Sequence, residues 1–123
     1  MAKARIPDDV GLSAVRAAVR AEGTDVIDRD TRATAVRYTL QALADRAPGN
    51  TVEVRVPPFG AVQCIPGPRH TRGTPPNVIE TDAQTWLAMA TGSLTWRDAV
   101  AAGKVNASGQ RADLTGLVPL VTG

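Results

Sequence analysis

Residues 81–118, TDAQTWLAMATGSLTWRDAVAAGKVNASGQRADLTGLV, hold two capped helical segments, each stopped by glycine, followed by a short strand and an apolar tail. Thr81 and Gln84 have the Ser/Thr-x-x-Glu/Gln spacing of a capping box, which predicts a helix over 82–91. Trp86, Met89 and Ala90 share its apolar face with Leu87 beside them, and Gly92 suits a left-handed stop. Thr95 and Asp98 repeat the device at the head of a helix over 96–102, with Trp96, Ala99 and Val100 as its stripe and Gly103 as its end. A strand fits 104–108, where Val105 and Ala107 alternate with Lys104, Asn106 and Ser108. Leu114, Leu117 and Val118 are expected to face the core from a short final helix that Pro119 stops or kinks.

Upstream, Pro7-Asp8-Asp9 suits a helix start, Val15, Ala18, Val19 and Glu22 follow at helical spacing, and Gly23 suits a stop, although Gly11 lies inside. From Asp28 or Asp30 a longer helix places Val36, Leu40, Leu43, Ala44 and Ala47 on one stripe until Pro48-Gly49-Asn50 ends it. Val52, Val54 and Val56 then alternate with Glu53 and Arg55, the pattern of an amphipathic strand. Further strands are expected at about 61–65 and at 77–81, paired antiparallel because they follow so closely. The proline- and glycine-rich segment between them is a loop longer than a hairpin requires.

At 123 residues and 43% hydrophobic content the chain is expected to form one domain around one core. Tyr38, Phe59, Trp86 and Trp96 are its only aromatics, so Val, Leu, Ile and Ala must fill that core. Lysine occurs only as Lys3 and Lys104, and this arginine and alanine bias is the codon signature of a GC-rich bacterial genome. The net charge is +2, with acids interspersed among the bases and no aromatic platform near Arg69 and Arg72, so nucleic-acid binding is not expected. No apolar run approaches the ~20 residues of a membrane span. The start, MAKARIPDDV, has no apolar core of a signal peptide, which makes the cytoplasm the expected location.

The stretch from Asn77 to Leu120, NVIETDAQTWLAMATGSLTWRDAVAAGKVNASGQRADLTGLVPL, resembles the C-terminal half of the sterol carrier protein family, with AVAAGK at 99–104 matching an Ala-x-x-x-Gly-Lys-like stretch of its second helix. The preceding VEVRVPPFGAVQCIPGPRHTRGTPPN is similar to the small bacterial single-domain branch of that family, and the resemblance extends over roughly residues 28–121, leaving 1–27 as an N-terminal helical extension. Gly109-Gln110 stands where many members have Gly-Asp. The resemblance implies an α+β fold, a mostly antiparallel sheet covered by helices on one face. It also implies a lipid tunnel that the last helix helps to cover.

Function follows in two alternatives. The first is non-catalytic binding or transfer of a fatty-acyl, sterol-like or other hydrophobic ligand in an apolar cavity between sheet and helices, with Trp86, Leu87, Ala90, Leu94, Trp96, Val100, Leu114 and Leu117 as candidate lining. The same residues can equally just fill a core, and spacing does not separate the two. The second is a ligand-free interaction module, a companion or accessory domain of an enzyme, since related domains occur attached to thiol-dependent isomerase domains. Arg69, His70 and Arg72 in the proline-rich loop are candidates for an anion or a protein partner, or are simply solvated. An enzyme is not expected. Cys64 and His70 supply neither a nucleophile–base–orienter set nor a zinc set, and no cofactor or metal is called for.

Overall fold

The computed structural model describes residues 5–21, 27–67 and 77–121. Two helices, α1 (Asp8–Arg20) and α2 (Arg29–Arg46), precede strands β1 (Val52–Val56), β2 (Gly60–Cys64) and β3 (Asn77–Thr81); then come α3 (Ala83–Thr91), α4 (Trp96–Ala101) and β4 (Val105–Ser108). The strands form one sheet in the order β2-β1-β3-β4. Its two outer pairings are antiparallel, but β1 and β3 run parallel, with Val52 beside Asn77 and Val54 beside Ile79. The expectation of three antiparallel strands is corrected here. Cys64 at the end of β2 and Asn77 at the start of β3 both lie opposite Val52, on its two sides. The connection of a dozen or more residues that a parallel pair needs is here residues 57–76, which include β2 itself.

Alternation gives the sheet one apolar face. Val52, Val54, Val56, Cys64 and Ile79 are buried, while Glu53, Arg55 and Glu80 are half-buried on the other side, where Arg55 pairs with Glu53. Against the apolar face pack Val36, Leu40 and Leu43 of α2, Trp86, Met89 and Ala90 of α3, and Ala99 of α4. Burial on this scale, at roughly 25 cal/mol per Å² of apolar surface, is the main term holding the layers together. A buried polar link joins α2 to α3: the Trp86 indole Nε1 donates to Thr39 Oγ1 at 2.7 Å, and that hydroxyl lies 2.8 Å from the Ala35 carbonyl and 2.9 Å from that of Val36.

α1 lies on the far side of α2 from the sheet. It is clamped at its beginning, where Tyr38 donates to Asp8 at 2.8 Å, Ile6 exchanges two hydrogen bonds with the Gln41 side chain, and Arg5 pairs with Asp45. Gly11 sits at a close approach of the two helices, since a Cβ built there would stand 2.1 Å from Tyr38 Cδ1. Ala14 and Val15 are buried in this contact, whereas Ala18 is half-buried and Val19 exposed, so the expected stripe covers only the first half of the helix. Glu22 and Gly23 lie outside the described residues.

The caps hold, with one shift of register. Asp82, not Thr81, caps α3 by accepting from Thr85 N, because Thr81 is still in the strand and its hydroxyl donates to the Lys104 carbonyl. Thr95 caps α4 as expected, and Gly92 ends α3 at φ 91°, a conformation other residues adopt only with strain. Ala107 is exposed, so Val105 alone turns inward from β4.

The expected final helix does not form. Residues 115–117 make a turn, and the chain then continues past Pro119 without regular structure, where Leu120 N and Val121 N both donate to the Ala90 carbonyl. With Gly116 inside and Pro119 at its end, the segment cannot repay the cost of nucleating a helix, and it instead satisfies the open carbonyl end of α3. Arg46 fixes it by donating to the Gly116 and Pro119 carbonyls.

Candidate functional site

The inner face of α3 is spent on the core, and its flank is not. Leu87, Ala88 and Thr91 face a cleft of about 690 Å³ whose opposite walls are Ala18 and Val19 from α1 and Ile27 and Arg32 from the start of α2. Ser93 and Leu94 line it beyond the end of α3, and Asp82, Gln84 and Lys104 line it near the beginning. The volume falls in the ~300–1,000 Å³ range of small-molecule sites. Its origin is the uneven seating of α1: the helix is pressed onto α2 at Gly11 and Val15 and has no buried residue beyond, and small Ala18 and Ala88 do not fill the gap.

Of the described lining residues half are apolar and half polar, and the polar half is unevenly committed. The Asp82 carboxylate is taken up by its cap, accepting from Thr85 N at 2.8 Å and from Thr85 Oγ1 at 3.0 Å. Arg32 and Lys104 have no ion-pair partner among the described residues, where the ion pairs are Arg5–Asp45 and Arg55–Glu53.

The residues singled out from the sequence separate into three groups. Leu87 and Leu94 line the cleft. Trp86, Ala90 and Leu114 are fully buried between sheet and helices, and Trp96 and Leu117 are half-buried against the same core. Val100 is 44% exposed, because α4 is only six residues long and turns Ala99 and part of Trp96, not Val100, to the core. Sequence reasoning missed Ala18, Val19, Ile27, Arg32, Ala88 and Lys104. The available signal was Leu87, a large apolar residue beside the Trp86–Met89–Ala90 stripe rather than on it. Arg69, His70 and Arg72 lie outside the described residues.

Cys64 is wholly buried on the inner face of β2, and burial pushes its thiol up to about 11, so at neutral pH it is a protonated, inaccessible thiol and a poor nucleophile. Among the described residues no three His, Cys, Asp or Glu side chains gather closely enough to hold a metal ion, and no helix is long and apolar enough to cross a membrane.

A family model described as "Bacterial SCP ortholog" matches residues 28–120, from the cap of α2 to the segment that closes α3. None of the curated proteins matches the chain.

Proposed function

Because the chain belongs to the bacterial SCP ortholog family, for which lipid binding or transfer is the general expectation, we propose that it is a non-catalytic carrier that holds a hydrophobic small molecule in the cleft between α1, the start of α2 and the flank of α3. The cleft itself carries this reading. Its volume and its apolar side, Leu87, Ala88 and Leu94, suit a ligand chain, whereas the layer between sheet and helices is occupied by Trp86, Met89, Leu40, Leu43, Ile79 and Leu114, all essentially inaccessible. Each enclosed methylene contributes about 0.8 kcal/mol, and lost motion of protein and ligand offsets much of the sum. Micromolar affinity, about −8 kcal/mol, is the expected scale.

Ala88→Trp tests this directly, since it fills the cleft from a half-buried position without entering the core. A fluorescent fatty-acyl probe is expected to bind the wild type at one saturable site and the variant at least about tenfold more weakly, with the melting temperature little changed. Equal binding by the variant would remove the ligand from this cleft. A stable wild type that binds no probe would favour the interaction-module alternative.

A further inference from the structure

Resting on that reading, we infer that the ligand carries a single anionic head group, carboxylate or phosphate, seated between Arg32 and Lys104 at the end of the cleft where α3 begins. Two chains of contacts bring these cations to the same end. Lys104 is held there by its carbonyl, which accepts from Thr81 Oγ1 just before the Asp82 cap. Arg32 is placed there by the relative direction of α2 and α3. The two helices meet at the Thr39–Trp86 hydrogen bond, and Arg46 at the end of α2 bonds the Gly116 and Pro119 carbonyls, next to the residues that donate to Ala90 near the end of α3. The helices therefore run in the same general direction, and Arg32, about two turns before Thr39, falls beside the start of α3. Both residues line the cleft.

The charge balance favours an anion. Asp82 is the one carboxylate among the described lining residues; its hydrogen bonds from neutral Thr85 hold it in its cap and leave its charge in place, so Arg32, Lys104 and Asp82 together carry one net positive charge. Two cations remain without an ion-pair partner among the described residues. A guanidinium presents a planar fork matched to carboxylate or phosphate oxygens, and an ammonium adds a mobile point charge. Farther along α3, Leu87, Ala88 and Leu94 offer the apolar surface for the rest of an amphiphile.

Titration calorimetry with dodecanoate, dodecyl phosphate, dodecanol and dodecyltrimethylammonium, all below their micellar concentrations, tests the assignment in the full chain. The wild type is expected to bind the two anions about tenfold or more tightly than the alcohol and to bind the cation weakest, with the advantage shrinking as salt is raised. Arg32→Gln and Lys104→Gln should each reduce the anion preference, read as the ratio of anion to dodecanol affinity in the same variant, about three- to tenfold, with the melting temperature unchanged. Relative affinities for carboxylate and phosphate identify the head. Equal affinity for dodecanol and the anions, or an undiminished preference in the double variant, would overturn the anionic assignment while leaving the cleft as an apolar site. No binding of any of the four would overturn both.

Discussion

Trp86→Ala is expected to destabilise the protein by roughly 3–5 kcal/mol, the range for removing a fully buried aromatic side chain from a core that only partly collapses. Trp86 has 0% exposure and lies among residues of the sheet, α2 and α3, so its removal opens a cavity between all three. It also breaks the 2.7 Å hydrogen bond to Thr39. Thr39 keeps a carbonyl to donate to, so the loss is chiefly one of packing. Trp96→Ala, although it removes the same side chain from the neighbouring helix, should cost well under half as much, because Trp96 is only half-buried at the margin of the core. Urea denaturation of both variants measures the difference, and a Trp86→Ala midpoint equal to that of the wild type would refute the assigned helix face.

Gly11→Ala should also destabilise the fold, against the usual preference for alanine in a helix, which alone would contribute about 1 kcal/mol in the opposite direction. The new Cβ would fall 2.1–2.6 Å from the Tyr38 ring carbons Cδ1, Cγ and Cε1. Cγ is the root of the ring, and the far end is tethered through its hydroxyl to Asp8, so the ring cannot swing away cheaply. α1 must lift from α2, an overpacking cost of about 1–3 kcal/mol. Since α1 is a wall of the cleft, probe affinity should fall with stability. Pairing Gly11→Ala with Tyr38→Leu should give less than the sum of the two separate losses, as expected for residues in direct contact. A Gly11→Ala variant more stable than the wild type would show that this crossing is not close-packed.

Much of the framework was legible because it rests on local chemistry. The Val52–Val54–Val56 alternation, the Thr95 cap and the Gly92 stop each follow from residues a few positions apart, and each element appears within a residue or two of its expected place. The burial of Trp86 followed from its stripe in the same way. Relations between distant residues were not legible. An alternating strand looks the same whichever way its partner runs, so nothing within β1 or β3 distinguishes the observed parallel pair from an antiparallel one. Thr81 and Asp82 are both good caps, and the choice between them depends on the Thr81 bond to Lys104, which is distant in sequence. The tail after Leu114 had the apolar residues of a helix, but the carbonyl end of α3 offered it a better set of partners. The cleft is the extreme case. It is a gap among α1, α2 and α3, and no single segment carries a pattern for it.

Backbone amide shifts of isotopically labelled protein, followed while dodecanoate is titrated to saturation, locate the ligand without any substitution. Binding in the cleft predicts that the largest changes cluster at Ala18, Ile27, Ala88 and Leu94. Changes centred instead on Val54, Ile79, Met89 and Leu114, in the layer between sheet and helices, would contradict it.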